Sequence, residues 1–328
     1  MGILHALTLL SVLSASPQHY ATLAAAPPGP SSHQVRSLRI TVLSTMLADM
    51  TGVGEWGFAA LVETDGRRLL FDTGARPETV LDNARQLGID LSGVTDLVLS
   101  HHHGDHTGGL ITLRRTLSTQ NPHALARAHV GDGIFLSRPG PDGKENNPMI
   151  ARRAEYQAAG GKFVVYRRPR EIVPGVWLTG PVPRPHPERN WPHSARLQMP
   201  DGVVEDSIPE DASLVIDTPE GLVVISGCGH AGTINTVEFA RKAVREAPVY
   251  ALLGGLHLFR SSVEDMEWTA ERLKGFGLAH LLAAHCTGIE ALFRIRQRAG
   301  LSRKTAVVGA VGSSFSLKDG IDPLELAR

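Results

Sequence analysis

The densest chemistry in the chain lies in six consecutive residues, His101-His102-His103-Gly104-Asp105-His106. Four of the 15 histidines sit there beside a carboxylate, directly after the apolar run 94–100. Solvated surface histidines do not cluster in this way. Imidazole and carboxylate groups, with no thiol in the motif, suit Zn²⁺, Mn²⁺ or Fe²⁺ at a catalytic site, whereas structural zinc sites are richer in cysteine. Gly104 predicts a sharp backbone turn that brings both flanks of the motif to one point.

Three later histidines stand at the ends of predicted strands. His230 lies in Gly227-Cys228-Gly229-His230-Ala231-Gly232, His257 in Gly254-Gly255-Leu256-His257-Leu258, and His285 in His285-Cys286-Thr287-Gly288. Loops at the carboxyl ends of strands are where α/β folds place functional groups. A lone strand-end histidine is ordinarily structural. Three in succession after a ligand cluster make His230, His257 and His285 candidates for metal ligation or substrate contact. Cys228 and Cys286 are the only cysteines, so the chain has no disulfide framework, and both lie among these same residues.

The elements that position these groups follow from periodicity. Residues 38–43 alternate as a half-buried strand, 58–64 and 67–71 read as a hairpin around Asp65-Gly66, and 77–87 as a helix stopped by Gly88. The strand 94–100 delivers the histidine cluster, and 107–117 follows as a helix. Residues 121–209 show strand-like pieces at 162–166 and 176–179, then a Pro-rich stretch. Strand and helix alternate again afterwards: strands at 212–217, 222–226, 249–253, 280–284 and 305–308, helices at 233–245, 263–274 and 288–299. Two sheets flanked by helices fit this order. The expected organisation is one domain over 38–328, with 181–209 as an inserted loop or lid.

With 33 Lys+Arg against 33 Asp+Glu and no basic block, a nucleic-acid surface is not expected. A small-molecule substrate, including an anionic one, is. Arg184, Arg189 and Arg196 in the Pro-rich stretch are candidate anion contacts, the simpler reading being solvated loop charges. Residues 1–37 read as a disordered extension or a signal segment. The apolar run 3–13 and Leu23-Ala24-Ala25-Ala26 favour a signal, but residues 1–5 lack the usual Lys or Arg. The run is too short to span a bilayer. The expectation is a cytoplasmic protein, with export as the alternative and no stable membrane insertion. Nothing in the sequence sets an oligomeric state.

The pattern His-x-His-x-Asp-His, with its preceding strand and following Thr107-Gly108-Gly109, resembles the metallo-β-lactamase superfamily. The resemblance implies an α/β fold, a four-layer αββα sandwich with a long inserted loop region. It also implies two divalent ions, zinc first, with manganese or iron as alternatives. His101 and His103 would hold one ion, Asp105 and His106 the other, and His102 neither. His230, His257 and His285 would supply the remaining ligands. Asp72, in Phe71-Asp72-Thr73-Gly74, would orient the histidine loop by accepting a hydrogen bond. Cys228 would sit beside the ligands. The Gly-Asp pair that commonly supplies a bridging aspartate is missing, and Cys228, His257 or Asp211 stands in for it. These segments together are similar to a subgroup that includes dihydropterin-ribofuranosyl-aminobenzene-phosphate synthases, over about residues 38–312.

The chemistry implied is hydrolysis of an ester, lactone or phosphoester, or the related pterin-phosphate condensation. Two divalent cations sharing a water lower its pKa and deliver hydroxide near neutral pH. They also polarise the substrate's carbonyl or phosphoryl oxygen. Asp105 would ligate and orient the nucleophile, and His257 or His285 would protonate the leaving group or hold the oxyanion. The competing readings are an iron-containing redox protein with Cys228 and Cys286 as active thiols, and a metal-binding protein without turnover.

Overall fold

A computed structural model describes residues 33–188 and 190–327. The signal-like segment and Arg189 lie outside the described residues. In chain order the elements are β1 (Leu38–Ser44), β2 (Ala59–Thr64), β3 (Arg67–Phe71), α1 (Thr79–Gln86), β4 (Asp96–Leu99), α2 (Gly104–Thr107), α3 (Leu110–Ser118), β5 (Arg127–Gly131), α4 (Pro148–Ala158) and β6 (Lys162–Tyr166). Then come β7 (Arg170–Val173), β8 (Val176–Leu178), β9 (Arg196–Met199), β10 (Gly202–Glu205), β11 (Leu214–Thr218), β12 (Gly221–Ser226) and α5 (Thr233–Ala243). The chain continues with β13 (Val249–Gly254), α6 (Val263–Gly275), β14 (His280–Ala283), a 3-10 turn at His285–Thr287, α7 (Ile289–Arg298), β15 (Ala306–Val308), β16 (Ser314–Ser316) and β17 (Gly320–Asp322).

Two large sheets result. One has the order β17-β16-β1-β2-β3-β4-β5-β6 and the other β15-β14-β13-β12-β11-β8-β7. Side-chain alternation along the strands sorts the core into three layers of contact. Ile40, Val42, Ala60, Val62, Leu69 and Phe71 point inward to meet Leu214, Ile216, Val223, Ile225 and Leu253 of the second sheet. The opposite face of the first sheet, through Leu61, Leu70, Leu97 and Leu99, packs on Val80 of α1, Leu110 and Leu113 of α3 and Tyr156 of α4. The outer face of the second sheet, through Leu222, Val224 and Leu252, packs on Ile234 of α5, Ala270 of α6 and Leu292 of α7. Three apolar seams between four layers make an αββα sandwich. Each fully buried Leu, Ile or Phe contributes about 1.5–3 kcal/mol to holding it.

The strands that matter for chemistry are parallel. β3, β4, β5 and β6 run parallel in the first sheet, and β12 to β15 in the second. Their carboxyl ends open at the same edge of the sandwich, where Asp72, residues 101–106, residues 228–230, His257 and His285 emerge.

The structure differs from the periodicity reading mainly within residues 121–209. Helix α4 buries only Met149 and Tyr156, so its apolar stripe is too thin to show. Strand β5 is Arg-Ala-His-Val-Gly, whose exposed arginine and buried histidine hide its apolar pattern. The Pro-rich stretch is not all loop, because β9 and β10 pair there as an antiparallel hairpin. Packing also reaches upstream of residue 38: Val35 is fully buried and its N–H donates to Asp217 O at 2.8 Å. No helix of the described residues is long and apolar enough to cross a membrane.

Candidate metal centre

The centre is built by a turn that leaves β4 and by three turns that leave β12, β13 and β14. Asp72, just past β3, adopts a left-handed φ of 56° and is completely buried. Its Oδ1 accepts from the Ser100 N–H at 2.7 Å, and its Oδ2 from Ser100 Oγ and His106 Nδ1, each at 2.8 Å. Ser100 Oγ also lies 2.9 Å from His101 Nδ1. One carboxylate therefore fixes the end of β4 and the rings on both flanks of the motif. Gly227 makes room for this, since a Cβ there would collide with Ser100 Oγ and Asp72 Oδ2. Gly104 behaves otherwise than expected. It opens the one-turn helix α2 without left-handed backbone, and open space lies where its Cβ would be. The convergence of the motif comes from the strand end and Asp72, not from a glycine turn.

Two sets of ligand atoms form around this frame. His101, His103 and His230 make the first, with His101 Nε2 2.9 Å from His103 Nδ1. Asp105, His106 and His285 make the second, with Asp105 Oδ2 3.4 Å from His285 Nε2 and 3.9 Å from His106 Nε2. Cys228 lies between them, its Sγ 3.2 Å from His106 Nε2 and grouped with His101 as well. The structure thus brings six of the seven candidate metal ligands into two triads. His257 stands apart from both. It lines the same cavity and its ring lies 4.6 Å from that of His230. His102 turns away, with Nδ1 2.7 Å from Glu210 Oε1. Asp211 is buried and accepts from the Ala231 N–H at 2.7 Å, which ties it to the His230 turn.

The donor sets fit divalent ions. Around a tetrahedral ion with nitrogens at about 2.0 Å, neighbouring ligand atoms stand about 3.3 Å apart, close to the 2.9 Å of His101–His103 and the 3.4 Å of Asp105–His285, with Asp105–His106 wider at 3.9 Å. His230 Nε2 is buried without a hydrogen-bond partner, a cost of about 1–3 kcal/mol unless something fills the gap, and buried His285 Nε2 has only the Asp105 carboxylate 3.4 Å away. Burial, and then the neighbouring imidazoles, hold His101, His103 and His230 well below the usual imidazole range, so they are neutral with free lone pairs. Burial works against ionisation of Asp105, but His106 and His285 outweigh it and keep the carboxylate charged. At His285 burial is overcome by the Cys286 sulfur and Asp105, which raise it to about 10. The negative groups that favour a proton there favour a cation in its place.

Asn190, Glu210 and Arg138, which carry no sequence signal, support the site, and two of the candidate arginines are otherwise engaged. Asn190 Oδ1 accepts from His230 Nδ1 at 3.1 Å while Asn190 Nδ2 donates to Gly229 O at 2.9 Å. Arg184 does not present a free cation to an anion: its guanidinium donates to the carbonyls of His230 at 2.6 Å and Ile208 at 3.0 Å. Arg196 turns back on the carbonyls of His193 and Ala195. Glu210, which clamps His102, is in turn held by Arg138 at 2.7 Å, and Arg138 reaches Asp206 at 2.8 Å. The triads open into a cavity of about 700 Å³. Trp56 and Phe259 form one wall, their ring centroids 5.3 Å apart, and Trp191 stacks toward His103 at 4.4 Å on the other. Arg260 and His193 line the same cavity.

The family model of the metallo-β-lactamase superfamily matches residues 57–232, which carry most of this geometry. The chain belongs to that superfamily. It is 30% identical over 242 residues to 7,8-dihydropterin-6-methyl-4-(β-D-ribofuranosyl)-aminobenzene-5'-phosphate synthase of Methanocaldococcus jannaschii, covering 71% of this chain and 81% of the relative. Among solved structures it resembles Tm1679, a metal-dependent hydrolase of the β-lactamase superfamily, with 27% identity and a TM-score of 0.68 over 85% of this chain and 98% of that one. A diphosphatase of the PhnP family shares the fold at 15% identity, with a TM-score of 0.51 over 87% of this chain and 98% of its own.

Proposed function

We propose that the protein is a metal-dependent hydrolase of small phosphoesters or related esters and lactones, working with two divalent ions. The observation that carries this reading is the pair of ligand triads, His101/His103/His230 and Asp105/His106/His285, facing one cavity. When bound, such ions supply an activated water and polarise a carbonyl or phosphoryl oxygen. The chain's own part is to hold the centre rigid and to place the substrate. Asp105, kept ionised, orients the attacking water, and Asp72 and Asn190 fix the rings that face it. Trp56, Phe259 and Trp191 suit a flat ring, and Arg260 suits a negatively charged group. An aromatic or heteroaromatic phosphate meets both demands. The printed name of the Methanocaldococcus relative contains a pterin, an aminobenzene and a phosphate, which supports the same class and keeps a synthase reaction on such a substrate within this reading.

The test is metal analysis of the purified protein together with turnover assays on aryl phosphate mono- and diesters, carboxylic esters and lactones. Two bound ions per chain and turnover that disappears in His103→Ala and Asp105→Ala are expected. A protein that binds no metal, or a metal-loaded protein inert toward every substrate, overturns the reading.

A further inference from the structure

Strands β12, β13 and β14 are adjacent and parallel, and their last residues stand level, Ser226 beside Gly254 and Gly254 beside Ala283. Each strand carries a metal-binding side chain two or three residues beyond that line: Cys228, His257 and Cys286. Topology therefore delivers three ligands to one place without help from the His101–His106 loop. The Sγ atoms of Cys228 and Cys286 are 3.3 Å apart, and the two sulfurs and a His257 nitrogen lie within 4.8 Å of one another.

The turns around this trio are built to hold it. Gly255 leaves space for the Cys286 thiol, because a Cβ there would stand 2.8 Å from Cys286 Sγ and collide with Gly227 O. Thr287 Oγ1 donates to Gly254 O at 2.9 Å and accepts from the Leu256 N–H at 3.1 Å, which locks the His257 turn to the Cys286 turn. His257 is held in a left-handed conformation at φ 50°, and its buried Nδ1 has no hydrogen-bond partner. All three residues line the cavity.

We infer that Cys228, His257 and Cys286 form a third cation position, distinct from the two triads, that takes a thiophilic divalent ion. Two sulfurs and one imidazole select zinc-like and softer metals over magnesium, calcium or manganese. Two thiolates also neutralise a divalent charge in an enclosed site, and the fourth coordination place faces the cavity. Cys228 is shared with the centre already described, so an ion here lies next to the substrate space.

Cadmium is the probe, because its thiolate complexes absorb in the ultraviolet. Reduced protein carrying its resident metals is titrated with Cd²⁺, following the thiolate-to-cadmium band and the number of ions bound at equilibrium. The expected band saturates at one added equivalent, falls by about half in Cys286→Ser, and needs at least about tenfold more cadmium in His257→Ala. No band in the reduced protein, an unchanged band in Cys286→Ser, or unchanged affinity in His257→Ala overturns the proposal. His257 stands at the cavity wall, so its variant reports even where the buried cysteine variant folds poorly. The count of ions retained when the band is absent reports separately on the two triads.

Discussion

Asp72 Oδ2 accepts a hydrogen bond from His106 Nδ1 at 2.8 Å, and no solvent reaches either side chain. The bond fixes the tautomer of His106 and aims its Nε2 at Asp105 and Cys228. The same carboxylate holds the Ser100 N–H and hydroxyl, so it sets the position of the whole motif.

Asp72→Asn keeps the shape but loses the charge and presents an N–H₂ where an acceptor is needed. Metal affinity is expected to fall by about 10–100-fold with the fold retained. Competition against a chromophoric chelator measures this, and an affinity equal to wild type counts against Asp72 as the anchor.

Asn190 does the corresponding work for His230 from the Pro-rich segment. Asn190→Ala frees the ring to rotate and weakens the first triad by about tenfold. The hydrogen bonds of Asn190 go to His230 and Gly229, not to Asp105, His106 or His285, so the first ion is expected to loosen and the second not. Equal loss at both sites in a metal titration argues against this division.

Trp56 forms the cavity wall and is 48% exposed, so its truncation costs little stability. Trp56→Ala is expected to raise KM for aryl phosphates about 3–10-fold, the value of one aromatic contact, with kcat nearly unchanged. A comparable rise in KM for alkyl phosphates would show that stacking is not its role.

Glu210 joins His102 to Arg138 in a fully buried network. Burial raises its pKa, but Arg138 and then His102 outweigh burial and bring it down to about 2. A carboxylate depressed below its usual 4.5 contributes stability that is complete above that value and lost as pH falls through about 2. Glu210→Gln is therefore expected to cost about 3 kcal/mol at pH 7, less than full loss of a buried pair because the amide still bonds. Urea unfolding at pH 7 and at low pH measures the gap, which should narrow below pH 4.5; a gap constant with pH removes Glu210's charge from the account.

The two-sheet order and the metal motif were legible because their signals are local. Period-2 alternation marks β1 to β3, and four histidines in six residues need no partner to be noticed. What escaped depends on distance along the chain. Asn190 and His230 are 40 residues apart, and Glu210 and His102 are 108, so nothing near either acceptor advertises its imidazole. Arg184 looked like a surface cation in a proline-rich stretch, but backbone carbonyls of the His230 turn claim it. His257 groups with Cys228 and Cys286 rather than with His230 or His285 for a related reason. Position at a strand end places a side chain at the edge of the sandwich, but not in a particular ligand set.

Each triad draws two ligands from the loop after β4 and one from the second sheet, His230 or His285. An ion held by either set is therefore a cross-brace between the two halves of the sandwich, adding to the apolar seam of Phe71, Val98, Ile225 and Leu253 at that edge. Neither half owns a complete triad, so on the proposed function ion capture by either triad would be coupled to closure of the sheets against each other at that edge. Chelation would loosen the molecule first at the edge where substrate enters, leaving the far end of the sandwich shut.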